Sequence, residues 1–219
     1  MAIHDLSGSS RAITAVFVPG PITLNTADPA WAQAPEMTIG LGRRLHESGA
    51  RLPSDDEKSR SVKVKVVHNS ADIFFLCQWN QSAAHTKVDE YTLFADAFAM
   101  EIPLITEESP IWMGAADKPV NIIYWRADLP GPENIVGGGI GTTQKSPDAT
   151  SQNIRHYQRW ANGVWSLIIT RPMSAASNNQ VSFVRGESYR LAFANWKGGI
   201  DAERGGNKIV SDWQHLSIK

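Results

Sequence analysis

The chain has 219 residues, 42 % of them hydrophobic, and its 21 Lys plus Arg nearly balance 22 Asp plus Glu for a formal net charge of −1. That balance removes the electrostatic basis for binding nucleic acid or an anionic membrane, and no apolar run reaches the ~20 residues that span a bilayer. A single cysteine, Cys77, excludes an internal disulfide and a CxxC zinc site.

Taken in chain order, MAIHDLSGSSRAITAVFVPG has no basic n-region, and Ser, Thr and Arg interrupt its apolar residues, so it is not a secretory leader as written. Gly40–Ser61, charged and carrying Pro53, is expected to be a long loop. In SVKVKVVHNSADIFFLCQWN, Val62, Val64 and Val66 alternate with Lys63 and Lys65 at the period of a half-buried strand. His68–Asp72 supplies turn chemistry, and Ile73, Phe75, Cys77 and Trp79 share one face of a second strand. An antiparallel hairpin is predicted, with Cys77 buried as a small hydrophobe. Asp89–Met100 fits a short helix or an extended buried run equally well.

In PIWMGAADKPVNIIYWRADL, Met113 heads a loop of small and polar residues, and Val120–Trp125 is predicted to be a strand. Leu129–Arg155 is expected to be a second long loop. GVWSLIITRPM is β-rich and stops at Pro172, Ser177–Gln180 turns the chain, and Val181–Trp196 gives one or two strands around Gly186-Glu187. Ser211–Ile218 is the last predicted strand. The pattern predicts one all-β domain over residues 1–219, a two-sheet antiparallel β-sandwich with long loops and little helix. Eight tryptophans are many for this length, and several should line a core, a pocket or an interface.

Autonomous catalytic chemistry is not evident. Gly137–Gly141 lacks the G-x-x-x-x-G-K-[ST] spacing and a following helix, so it is a flexible loop rather than a phosphate cradle. The six histidines are scattered without metal-ligand spacing. Asp55-Asp56 and Glu107-Glu108 are solvated charge, and there is no G-x-S-x-G elbow. Lys208, behind Gly205-Gly206 and before a β-like segment, is on composition alone an ordinary lysine at a strand start.

The order of motifs adds a resemblance. DPAWAQAPEMTIGL, VKVKVVHNSADIFFLCQWN, DAFAMEIPL, PIWMGAADKPVNIIYWRADL, RWANGVWSLIITRPM and YRLAFANWKGGIDAERGGNKIVSDWQHLSI follow one another from about Asp28 to Ile218. Together they resemble the haem b-binding γ subunits of type II dimethyl-sulfoxide-reductase-family enzymes, such as ethylbenzene dehydrogenase, dimethyl sulfide dehydrogenase, selenate reductase and chlorate reductase. The resemblance implies a β-sandwich holding one non-covalent haem b, in keeping with the missing CxxCH. It implies axial ligation by a methionine and a lysine, here Met113 and Lys208, with Met100 and Lys197 as the runner-up thioether and amine. Trp112 and Trp125 would wall the haem or fill the core.

The resemblance further implies an electron-transfer subunit, not an enzyme, relaying electrons between an iron–sulfur β subunit and a soluble c-type cytochrome. A molybdenum-cofactor α subunit would do the substrate chemistry. The location implied is periplasmic, with the leader removed or export alongside a partner. The Gly-rich segment departs from the family, so its contacts with haem are not carried over. The opening ADPAWAQAPE also resembles the start of family-9-like sugar-binding domains, which implies the alternative of a carbohydrate-binding sandwich using exposed tryptophans.

Overall fold

The computed structural model describes residues 12–42, 60–88, 93–105, 108–200 and 208–219. Its strands are β1 (Ile13–Phe17), β2 (Met37–Gly40), β3 (Ser61–His68), β4 (Asp72–Asn80), β5 (Leu93–Phe94), β6 (Ala97–Pro103), β7 (Val120–Arg126) and β8 (Glu133–Gly137). They continue as β9 (Gln144–Lys145), β10 (Arg155–Ala161), β11 (Val164–Pro172), β12 (Ser188–Trp196), β13 (Gly199–Ile200), β14 (Lys208–Val210) and β15 (Gln214–Ile218). Among the described residues, helix occurs only as the 3-10 turns Pro29–Ala32 and Ala149–Gln152, and none is long and apolar enough to cross a membrane.

One continuous path, β10-β11-β4-β3-β1-β15-β12-β6-β7-β8-β9, folds over on itself into two facing layers. The long strand β12 joins them. Its first half, Ser188–Leu191, pairs with β15 of one layer, while Ala192–Trp196 pairs with β6 of the other and Ala194–Trp196 takes β14 as well. Between the layers, Val62, Val64, Phe75, Trp79, Trp165 and Leu167 meet Phe98, Met100, Ile123, Trp125 and Phe193. The Trp79 ring stacks on Phe98 at 5.0 Å and meets Trp125 edge-on at 5.9 Å. Each such ring removes about 200 Å² from water, worth at most about 5 kcal/mol at ~25 cal/mol per Å².

The predicted hairpin is β3–β4, closed by an Asn69 side chain that accepts from Ala71 N (3.1 Å) and Asp72 N (2.8 Å). The apolar residues on both faces of β4 now have a reason. Phe75, Cys77 and Trp79 enter the main core, while Phe74 and Leu76 pack beneath Trp31, which is brought there by the turn at Pro29. The tryptophan and the turn close off the outer face of the first layer.

Four expectations are corrected or narrowed. The sheet is mixed rather than wholly antiparallel, because β1 runs parallel to both β3 and β15. The helical option within Asp89–Met100 fails where the chain is described: Ala97–Ile102 is extended with every residue buried, because both of its faces are covered. The segment Leu129–Arg155 is not a loop; it holds β8, β9 and a 3-10 turn. Of the one or two strands expected within Val181–Trp196 one forms, β12; Val181–Glu187 adds none, since Phe183 N turns back to Met173 O (2.8 Å) and Gly186 takes a positive φ of 87°. Most of the Gly40–Ser61 loop, and Gly205 and Gly206, lie outside the described residues.

Candidate cofactor site

The outer face of the second layer is built differently from every other face. Strand parity sends Phe98, Met100 and Ile102 of β6 inward and leaves Ala97, Ala99 and Glu101 outward; β12 likewise turns Ala192, Ala194 and Trp196 outward. Pairing places Ala97 beside Trp196 and Arg126, Ala99 beside Ala194 and Tyr124, and Glu101 beside Ala192 and Ile122. Four alanines therefore make a floor with no side chain beyond Cβ. Ile111, Ile122, Ile135 and Val210 wall it, and the cleft they enclose has about 260 Å³ of open space.

Met113 and Lys208 both line this cleft. They reach it from different edges: Lys208 from β14, beside Trp196, and Met113 from the loop that precedes β7. Met113 has φ 67°, a left-handed conformation that costs a non-glycine residue on the order of 1 kcal/mol. The neighbouring turn holds it there. Gly139 N donates to Met113 O at 2.8 Å, and Gly114 N donates to Pro110 O at 2.9 Å. A Cβ on Gly137 would stand 2.7 Å from Met113 O, and one on Gly114 would stand 2.7 Å from Lys118 O. The glycine-rich segment is thus the buttress of the methionine loop, not a flexible loop. Glycine is required because two backbones meet there without room for side chains.

Lys208 and Glu101 are each 8 % exposed. Burial pushes the Glu101 carboxyl up to about 8, against the pull of the Lys208 charge and of a hydrogen bond from the Met113 backbone. Burial also pushes Lys208 below its ordinary value, with Glu101 opposing. Both groups are driven toward their uncharged forms, and Glu101 Oε1 has no hydrogen-bond partner among the described residues. The Lys208 Nζ lies 5.2 Å from the centre of the Trp196 ring, and Tyr124 meets that ring edge-on at 5.6 Å.

A pH dependence follows. The contribution of Glu101 itself is fully present below the unfolded value of about 4.5 and is lost as pH rises through about 8, whereas Lys208, shifted the other way, contributes a slope of opposite sign. Chemical denaturation of the ligand-free chain between pH 5 and 9 should therefore show stability rising more steeply with pH in Glu101→Gln than in the unaltered chain. An equal slope in both proteins would refute the assignment.

Of the other candidates, Lys197 lines the cleft. Met100 is fully buried on the opposite face, within the main core. Trp125 is there too. It is one residue out of phase with Tyr124 and Arg126, so it packs against Trp79 and Trp165 and donates its Nε1 to Gln158. It fills the core and walls nothing. Trp112 packs with Met113 against the outer cluster without lining the cleft. Trp196, Tyr124, Glu101 and Arg126 were not expected. Their signal lay in the alternation of AFAME and LAFANW, where small residues at i and i+2 mark a face left open for something other than side chains.

The residues suit a flat, largely apolar macrocycle with a central metal. The floor offers no obstruction, the walls are aliphatic, one soft sulfur lines the space, and of the two amines that line it Lys208 is in a setting that favours the neutral, ligating form. A sugar-stacking platform is less well served. Trp31, Trp79, Trp125 and Trp165 are buried, and the pair bordering the cleft, Tyr124 and Trp196, is perpendicular at 84°.

The fold is similar to that of a family 9 carbohydrate-binding module from Caldicellulosiruptor kristjanssonii solved with glucose (TM-score 0.51, 7 % identity, 94 % of this chain and 95 % of that one). It is also similar to a carbohydrate-binding protein from Bacteroides uniformis (TM-score 0.52, 10 % identity, 84 % and 86 %). These likenesses concern the β-sandwich alone. In sequence the chain is 29 % identical over 189 residues to a respiratory nitrate reductase haem subunit of Haloferax mediterranei, covering 85 % of this chain and 65 % of that protein. It is 27 % identical over 212 residues to the γ subunit of dimethylsulfide dehydrogenase from Rhodovulum sulfidophilum, covering 91 % and 78 %. The family profile described as ethylbenzene dehydrogenase matches residues 28–153 and 141–208, and with most of its length so matched the chain belongs to the ethylbenzene dehydrogenase family.

Proposed function

We propose that this chain is a non-catalytic, haem b-carrying electron-transfer subunit in which Met113 and Lys208 are the two axial ligands of the iron. The observation that carries the reading is the convergence of those two side chains, remote in sequence, on one alanine-floored cleft. Bound there, haem b would supply one-electron chemistry. The chain's own residues do the rest. Met113 contributes a soft donor from a rigid loop, and methionine ligation raises haem potential. Lys208 contributes a lone pair that exists only on the uncharged amine, which burial favours. Were Met113 and Lys208 both to hold the iron, no coordination site would be left for substrate or oxygen, and the isoleucine walls would keep water from the ring.

The partners we propose are an iron–sulfur β subunit, a molybdenum-cofactor α subunit and a soluble c-type cytochrome, in the periplasm. Support comes from the relatives, whose descriptions are those of a nitrate reductase haem subunit and a dimethylsulfide dehydrogenase γ subunit.

The test is an absorbance titration of the purified chain with haemin. A sharp Soret band with a low-spin, six-coordinate spectrum is expected. A protein that stays colourless while binding glycans would overturn the reading in favour of a carbohydrate-binding sandwich.

A further inference from the structure

Basic side chains mark one end of the cleft and a buried acid the other. Across the sheet, Lys208, Trp196, Ala97 and Arg126 form one row; Glu101 and Ile122 stand four residues further along β6 and β7. Arg126 and Lys197, which directly follows Trp196, therefore share one end of the cleft, while Met113, Ile122, Ile135 and the buried Glu101 occupy the other.

Arg126 is oriented by its neighbours. Its Nε and Nη2 fork onto Asp128 Oδ1 (2.5 Å) and Oδ2 (2.9 Å), which fixes the plane of the guanidinium, and Tyr124 is a further side-chain hydrogen-bond partner, so its five N–H donors are not all taken by Asp128. Arg126, paired with Asp128, and Lys197 bring two basic side chains to this rim of the cleft. Lys197 is also held in place. The next residue, Gly198, lies so close to the β5–β6 connection that a Cβ would stand 2.3 Å from Phe94 O, and its N–H donates to Asp96 Oδ1 at 2.7 Å. A tetrapyrrole of the haem b type has an apolar edge and an edge bearing two carboxylates. Carboxylates at the Glu101 end would lie among isoleucines beside a second buried acid, which is strongly unfavourable.

Resting on the haem reading above, we infer that Arg126 and Lys197 hold the carboxylates of the bound tetrapyrrole, so that its acidic edge lies over the ends of β7 and β12 and its apolar edge faces Ile122 and Ile135. Asp128 acts as a positioning residue for the Arg126 fork.

The experiment compares haemin with haemin dimethyl ester, whose iron is the same and whose carboxylates are masked, by Soret titration of the purified chain. The unaltered protein is expected to bind haemin at least tenfold more tightly than the ester. In the double variant Arg126→Gln, Lys197→Gln that preference should vanish, with haemin weakened ten- to hundredfold and the ester unchanged. Equal affinity of the unaltered chain for acid and ester overturns the placement without any substitution. Equal losses of both ligands in the double variant also overturn it, since the two residues would then support the fold and not the carboxylates. Failure of the haem reading itself is distinguishable: the unaltered chain would show no Soret band with either compound.

Discussion

Asp96→Ala should destabilise the ligand-free chain by about 4 kcal/mol, enough to lower its melting temperature by roughly 10 °C in a protein of this length. Asp96 is fully buried, yet no lysine or arginine neutralises it among the described residues. Hydrogen bonds do the work instead. Oδ1 accepts from Gly198 N (2.7 Å) and from the Gln81 side chain; Oδ2 accepts from His85 N (2.8 Å) and Trp165 Nε1 (3.0 Å). Alanine would orphan four donors at once, each costing about 1–3 kcal/mol if water cannot reach it. Partial rehydration of the two backbone groups keeps the expected total below the sum. Guanidinium denaturation with an unchanged slope is the measurement. A loss under 1 kcal/mol would show that the network is dispensable. The effect reaches the cleft because Asp96 sits between Ala95 and Ala97, two of its lining residues, and ties both the 81–85 segment and Gly198 to them.

None of that network was legible in sequence. Asp96 sits in TLFADAFAM, where an acid between alanines gives no sign of its four partners, all of which come from other segments. The β3–β4 hairpin was legible because everything that specifies it is local: alternating valines, an Asn whose side chain closes the turn, and a second strand at once. The Met113–Lys208 pair came from resemblance to a family. Nothing in the spacing of the two residues points to a shared cleft, which exists only because β14 and β6 flank β12.

Trp125 shows the same limit from another side. The alternation of Val120–Arg126 fixed which residues share a face, but not which of the two faces was the core. Both faces of this layer are lined by apolar side chains, so hydrophobicity could not decide it. The family 9 likeness raised by ADPAWAQAPE belongs to the same class of inference: it pointed to the sandwich, and the structural neighbours share that sandwich at 10 % identity or less. What separates a sugar platform from a cofactor cleft is the floor. Aromatic rings would be needed on it, and alanines are found.

Removing either proposed axial ligand should change the haem-loaded protein sharply while leaving the fold in place. For the thioether the informative variant is Met113→Gly. Glycine relieves the strain of φ 67°, which offsets the lost packing of a half-buried side chain, so stability of the ligand-free chain should move by no more than about 1 kcal/mol. The loaded protein should become high-spin, and its reduction potential should fall by on the order of 100 mV, a fraction of the about 0.8 V that axial ligation spans. Lys208→Ala should also give a high-spin spectrum. In the unaltered protein the low-spin signature should disappear as pH falls, because a proton competes with iron for the same lone pair; burial shifts that competition below the ordinary lysine range. Lys197→Ala is the control amine: it lines the same cleft, and its loss should weaken haem binding without altering spin state. Unchanged spectra and potentials in both ligand variants would refute the pair, whereas a spin-state change in Lys197→Ala alone would move the nitrogen ligand from β14 to the end of β12.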